Sequence, residues 1–224
     1  AHVNPRRVSR SIRFEVVFPG WRTTDLVGGK QKGKRKKGES PRGLYERLWL
    51  VQDDLTAAAN RLISVLWQVR TGSLPWPMRP GDDGTPERIP VRTLAYQGLS
   101  GAWTMPTGEA FYRPTAEPVS SAVLLDLQGL VVNRLDTDFV AVCRGQASLP
   151  TFRTLPIGIT CHGITVKNNG DIALRTWPGR GENTITVAPR KLDASSRATL
   201  RRVIRGELKG GSARLTWLRP AGRT

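Results

Sequence analysis

The residues of this chain with the clearest chemistry are its cations. Lys and Arg number 35 against 18 Asp and Glu, a formal net charge of +17 over 224 residues. Net charge speaks to partners rather than fold. An excess of this size suits a polyanion, and nucleic acid is the commonest one; a basic ribosome-type or membrane-surface protein is the competing reading. Lys30, Lys32, Lys34, Arg35, Lys36 and Lys37 lie in one run with glycines on both sides. Such a loop is flexible and solvated. It fits a plain spacer, a nuclear-import signal or a phosphate-contacting arm, and the charge of the whole chain favours the arm.

Other chemistries are poorly served. Asp53 and Asp54 fall in a helical stretch, Asp82 and Asp83 in a Pro-rich loop, and Asp171 in a hairpin turn. No spacing suggests a two-metal site, so catalysis within this chain is not expected. Cys161–His162 lacks the spaced partners of a zinc site. No P-loop or Gly-rich strand-to-helix fingerprint occurs, and no cofactor is expected. Cys143 and Cys161 need not pair, which fits a reduced cytosolic setting. No apolar run nears the roughly 20 residues of a membrane helix, and the N-terminus has no hydrophobic signal core. A cytoplasmic protein without a membrane partner is the expectation, and Ala1 points to a processed or excised piece.

The elements that must position the cations follow from periodicity. Ile12, Phe14 and Val16 alternate with Arg13 and Glu15, a strand ended by Pro19 and Gly20. Ser40 and Pro41 open a helix by an N-cap and first-turn proline. Leu44, Leu48, Val51, Leu55, Ala58, Leu62, Val65 and Val69 give it one apolar stripe to Arg70, widened by Tyr45, Trp49, Ile63 and Leu66. Asn60 sits beside the stripe and reads best as a satisfied polar core group. Thr71 to Pro90 reads as a loop holding Trp76, and Val91 to Trp103 as a short helix broken by Gly98 and Gly101. Pro118 to Arg144 is the second long helix, with Asp136 and Asp138 as solvated charges beside Arg134. After it, Pro150 and Pro156 shape an extended basic connector. Strands follow over Ile157–Cys161, Ile164–Val166 and Ile172–Leu174, with a hairpin turn at Asn168–Asp171. Thr184–Val187 is a further strand, Ser195–Arg205 a helix with Leu200, Val203 and Ile204 inward, and Ala213–Leu218 the last strand. The first strand alone would be an unpaired edge, so it should join the later ones. The fold class expected is α+β: a β-barrel split by an inserted α-helical domain, with boundaries at 1–38, 39–145 and 146–224.

Three stretches carry a family resemblance: VSRSIRFEV at the start, RGQASLPTFRTLPIGI from Arg144 to Ile159, and LDASSRATLRRVIRGELKGGSARLTWL near the end. Together they resemble the N-terminal half of compact type V CRISPR effectors and their TnpB-like transposon relatives. Ser148-Leu149-Pro150-x-Phe152-Arg153 followed by Pro156-Ile157 is the most specific of the three. The resemblance covers almost the whole chain and implies a prokaryotic cytoplasm. It implies that the split barrel is an OB-like wedge domain and the inserted helices a recognition lobe. It also implies partners: a guide RNA, target DNA, and a RuvC-bearing nuclease chain or domain, since this chain ends where the family's RuvC-like domain would begin. In such systems base pairing reads sequence while the protein reads shape, backbone and a short target-adjacent motif.

For guide RNA the resemblance points to Arg144, Gln146, Ser148, Phe152 and Arg153 in the connector. It adds Lys167, Arg175, Arg180, Arg190 and Lys191 on or beside strands, and Arg197, Arg201, Arg202 and Arg205 along one helix face. Phe152 either stacks on a base, worth about 1–3 kcal/mol, or is buried between domains. For the DNA motif the positional matches are Gln97, Ser120 and Ser121; glutamine can pair bidentately with adenine, and Ser120 also reads as a helix cap. The alternative of another class is a general basic protein that binds structured RNA, such as a ribosome-associated one. An RNA nuclease using scattered acids, or a module whose charge serves only solubility, is a further alternative.

Overall fold

The computed structural model describes residues 15–17, 41–115, 117–178, 184–190, 192–208 and 211–215. In chain order these hold β1 (Glu15–Val17), α1 (Pro41–Arg70), β2 (Met78–Pro80), β3 (Pro86–Arg88), α2 (Val91–Ser100) and α3 (Ser121–Cys143). Then come β4 (Ile157–Ile159), a 3-10 turn at Cys161–Gly163, β5 (Ile164–Val166), β6 (Ile172–Arg175), β7 (Thr184–Arg190), α4 (Ala194–Ile204) and β8 (Ala213–Leu215). The basic run at Lys30–Lys37, together with Ile12, Phe14, Arg180, Lys191 and Thr216–Leu218, lies outside the described residues.

The apolar stripe of α1 is buried along its whole length, from Leu44 to Val69. Each large aliphatic side chain so buried contributes about 1.5–3 kcal/mol, so packing rather than intrinsic propensity holds this helix. Its last residue, Arg70, reaches α3: Nη2 lies 2.7 Å from Asp136 Oδ1, and the guanidinium carbon stands 4.9 Å from the Phe139 ring centroid. Asp136 is exposed, as expected of a solvated charge, but its partner is Arg70 across the helices rather than Arg134. Arg134 pairs with Asp138, at 2.8 Å, as expected.

The segment from Thr71 to Pro90 is more ordered than a loop. β2 and β3 pair antiparallel with Met78 opposite Arg88, and Trp76 Nε1 donates to the Ile89 carbonyl at 2.9 Å. The turn between the strands works because Gly84 takes a φ of 80° and Asp83 Oδ1 accepts from the Thr85 N–H at 3.0 Å. Gly98 does not break α2. It lies buried inside the helix, where an added Cβ would stand 3.0 Å from Phe111 Cδ2, and the fully buried Phe111 fills that space. The helix ends at Gly101, with a φ of 84°, a left-handed cap that glycine adopts without strain.

β1 precedes the helices yet pairs antiparallel with β7. The four-stranded order is β1-β7-β6-β5, so α1, α2 and α3 are inserted in sequence between neighbours of one sheet. β5 and β6 form the expected hairpin, closed by the Lys167 N–H donating to the Asp171 carbonyl at 2.7 Å. β4 does not join that sheet. It pairs with β8, Ile157 opposite Leu215, and packs on α3. The 3-10 turn after β4 redirects the chain, with Gly163 pressed so closely on Ala122 and Ile159 that a Cβ would clash. The architecture is thus mixed α and β with small sheets, and the expected closure into a barrel is absent among the described residues. One hydrophobic cluster joins the helices to the β structure, from Leu62 and Val131 to Ile159, Leu174 and Val187. The α4 residues Leu200, Val203 and Ile204, expected inward, are only half-buried.

Candidate nucleic-acid interface

The connector between α3 and β4 is fastened to α1 by a ladder of side chains. Gln52, Thr56 and Asn60 recur every four residues and so share one face of the helix. Asn60 Nδ2 donates to the Phe152 carbonyl at 2.9 Å, and its Oδ1 accepts from the Phe152 N–H at 2.8 Å. Leu155 is held the same way: its N–H donates to Thr56 Oγ1 at 3.2 Å, and its carbonyl accepts from Gln52 Nε2 at 2.6 Å. Eight helical residues rise about 12 Å and three extended ones about 10 Å, so the two runs match in length, antiparallel. Extended backbone away from a sheet must find partners for its polar groups. Here a helix face supplies them.

The clamp sorts the connector's side chains. Pro150 and Leu155 are buried, and Leu149 and Phe152 pack partly against the core. Arg144, Gln146, Ser148, Thr151 and Arg153 are left exposed. Gly145, with a φ of 68°, turns the chain out of α3, and the Gln146 N–H returns to the Ala141 carbonyl at 2.8 Å. Phe152 is partly buried against the core, and Asn60 holds both its N–H and its carbonyl.

The remaining cations divide by their partners. Lys167 and Arg175 are exposed at the two ends of the β5–β6 hairpin. Among the described residues Lys167 Nζ reaches only Thr186 Oγ1, at 3.4 Å. On α4, Arg197 donates to the Leu192 carbonyl at 3.2 Å, and Arg202 and Arg205 share Glu207, each near 3.3 and 3.2 Å. Among the described residues the guanidinium groups of Arg144, Arg153, Arg175 and Arg201 have no ion pair or hydrogen bond, which leaves their charge free for an anion. Arg190 is placed by its backbone, opposite Glu15 in the β1–β7 pair. The α4 start is set by Asp193, whose Oδ1 accepts from the Ser196 N–H at 2.6 Å; that bond holds its carboxyl below the ordinary range.

The three residues matched to DNA-motif reading differ in access. Gln97 is half-buried on α2, and Ser121 is exposed in the first turn of α3. Ser120 is buried. Its hydroxyl donates to the Arg175 carbonyl at 2.6 Å and its N–H to the Thr176 carbonyl at 2.8 Å, so it ties α3 to β6 and offers nothing to a DNA groove. It makes no side-chain cap either. Asp54 is buried and accepts from the Thr115 N–H at 2.7 Å. Beside it, Tyr112 is pushed up to about 12, first by burial and then by the Asp54 charge. Among the described residues no group of His, Cys, Asp and Glu could hold a metal ion, and no helix is long and apolar enough to cross a membrane.

The residues that sequence reasoning missed are Gln52 and Thr56. Their signal was available: polar side chains four apart with Asn60, along the border of an apolar stripe. No protein-family model matches the chain, and no curated protein matches it.

Proposed function

We propose that this chain is the RNA-guided DNA-binding part of a type V CRISPR-like effector. It holds a guide RNA scaffold and grips the guide–target heteroduplex, and it reads a short target-adjacent motif through α2 and the start of α3. In this reading β1, β7, β6 and β5, with β4 and β8, belong to an OB-like wedge barrel spanning 1–38 and 146–224, and 39–145 is the recognition lobe. Cleavage is left to a RuvC-bearing domain or partner chain.

The observation that carries the reading is the connector. The stretch that bears the family resemblance is also the one that α1 fastens, at Phe152 and Leu155, with Arg144, Gln146, Ser148 and Arg153 exposed. Exposed cations on a fastened backbone suit a folded RNA backbone, which proteins recognise by shape and phosphate position. Gln97 and Ser121 remain the candidates for motif reading; Ser120 is withdrawn.

Purification of the chain from its native host, with sequencing of the bound RNA, tests this. One enriched species with a constant scaffold and variable ends is expected, and matching DNA should then bind in a guide-dependent way. A mixture of ribosomal and transfer RNA fragments without a constant scaffold overturns the guided reading and leaves a general structured-RNA-binding protein.

A further inference from the structure

The charge of the chain is divided sharply along its length. Residues 41–143, from the start of α1 to the end of α3, hold nine arginines, no lysine and eleven Asp and Glu. This helical insertion has a net charge of −2 against +17 for the whole chain, so the rest carries +19. Residues 144–224 hold fifteen Lys and Arg against four Asp and Glu.

The arginines of the insertion are also engaged within it. Five make ion pairs: Arg47 with Glu117, Arg70 with Asp136, Arg79 with Glu87, Arg113 with Glu109 and Arg134 with Asp138. Arg61 donates to the Phe111 carbonyl at 3.2 Å and Arg92 to Asn133 Oδ1 at 2.7 Å. Arg88 lies over the Trp76 ring, 5.4 Å from its centroid. Exposed ion pairs hold each other weakly, by about 0–1 kcal/mol, so pairing alone would not keep a phosphate away. The carboxylates do: a phosphate at Arg79 or Arg113 meets Glu87 or Glu109 in the same place, and like charges repel. Beyond α3 the pattern reverses. Arg144, Arg153, Arg175 and Arg201 are exposed with free guanidinium groups, and among the described carboxylates of that part only Glu207 pairs with arginine.

The free cations fit a polymer rather than a small anion. Arg144 stands at the end of α3, and the Arg175 carbonyl is held at its start by Ser120. The 23 residues of α3 rise about 34 Å, farther than a single phosphate group reaches. A lipid surface fits less well, because a membrane-binding face needs apolar side chains to enter the bilayer. Among the described residues the exposed large apolar side chains, Leu50, Met78, Leu125 and Val140, all belong to the insertion. We propose that the chain takes RNA phosphates on the connector and the β part that follows it, and none on the helical insertion, which meets nucleic acid through neutral groups such as Gln97 and Ser121. This rests on the RNA-binding reading above and divides its labour. The basic part supplies electrostatic affinity, and the insertion supplies shape and base-edge contact, which need no charge.

The test is titration of the full chain with one labelled RNA hairpin at salt concentrations from about 50 to 200 mM, for two sets of substitutions. The first set combines Arg144→Gln, Arg153→Gln, Arg175→Gln and Arg201→Gln. The second removes three ion pairs of the insertion without changing net charge: Arg79→Gln with Glu87→Gln, Arg113→Gln with Glu109→Gln, and Arg134→Gln with Asp138→Asn. The first set should weaken binding and flatten the salt dependence by about 2.8–3.6 released counterions for four lost phosphate contacts. The second should leave affinity and slope as they are. A slope shallower by about one counterion or more in the second set means that the insertion takes phosphate, and overturns the division. RNA binding that neither set alters overturns it as well. Binding to phosphatidylserine vesicles but not to RNA overturns both the division and the RNA-binding reading. A chain whose native RNA lacks a constant scaffold loses the guided reading, yet the division stands if the two sets differ as expected.

Discussion

Replacing Asn60 by alanine removes the centre of the connector clamp. Two hydrogen bonds are lost, at 2.9 and 2.8 Å, both to the backbone of Phe152. Each is worth about 1 kcal/mol net, and a peptide group left half-shielded adds about as much again. The expected cost is therefore about 2–3 kcal/mol, read as a lower urea midpoint at unchanged slope. The global figure is not the sharpest readout, because any core change could give it. Amide hydrogen exchange is sharper. Asn60→Ala should accelerate exchange of the Phe152 amide about 30- to 150-fold, the same free energy expressed as a ratio. Leu155 is held separately by Gln52 and Thr56, so its amide should respond far less. Gln52→Ala should loosen the Leu155 end and spare Phe152. Uniform acceleration at both amides in both variants would refute a ladder of separate rungs, and a change below about threefold at Phe152 would show that Asn60 holds nothing.

Two further expectations come from glycines and from one carboxyl. Gly98 and Gly129 both lie inside helices, where alanine is intrinsically better by about 1 kcal/mol. Gly129→Ala has nothing within 4 Å of the new Cβ and should stabilise by about 0.5–1 kcal/mol. Gly98→Ala meets Phe111 at 3.0 Å and Leu62 at 3.3 Å, both fully buried; overpacking of about 1–3 kcal/mol should make it a net loss, and equal melting shifts for the two would contradict the packing account. Asp126 has its folded-state pKa raised above the ordinary 3.8, chiefly by burial. The folded state then binds the proton more tightly than the unfolded one, so this group's contribution to stability falls as pH rises from 3.8 through its raised value. Asp83 and Asp193, held low by their hydrogen bonds, push the other way, so the observable is the difference between the wild type and Asp126→Asn. The variant should gain relative stability as pH rises through that window, and a flat difference would argue against the burial.

The helices were legible because their signals are local. Pro41 at the first turn and a stripe repeating every three or four residues need no knowledge of the rest of the chain, and α1 spans Pro41–Arg70 much as expected. Asn60 was legible as a satisfied polar group, but its partner lies 92 residues away, and nothing near either residue announces the other. Gly98 was misread for the same reason. Propensity counts its intrinsic cost in a helix and is blind to Phe111, which requires it. Strand pairing is harder still. Ile157 and Ile159 alternate with the same period as Ile172 and Leu174, yet the first pair joins β8 and the second β5 and β7. Between them the chain turns at Cys161–Gly163, with Gly163 packed close on Ala122, a residue some forty positions away that no local signal announces.

The connector shows how far a motif can be trusted. Within Ser148–Arg153 the members face two ways: Leu149, Pro150 and Phe152 toward the core, Ser148, Thr151 and Arg153 toward solvent. The inward members answer to packing and to the α1 clamp, and any chain with this helix–connector–strand geometry would need residues of their kind. They speak for a fold. Only the outward members, with Arg144 and Gln146 beside them, have the access that contact with RNA requires. An Arg144→Ala, Arg153→Ala double variant therefore tests the function apart from the fold. It removes two exposed charges that have no partner among the described residues, so its melting temperature should stay unchanged. Its RNA affinity should fall, with a salt dependence shallower by about 1.4–1.8 released counterions for two lost phosphate contacts. Lost stability with unchanged RNA affinity would assign the whole connector to architecture.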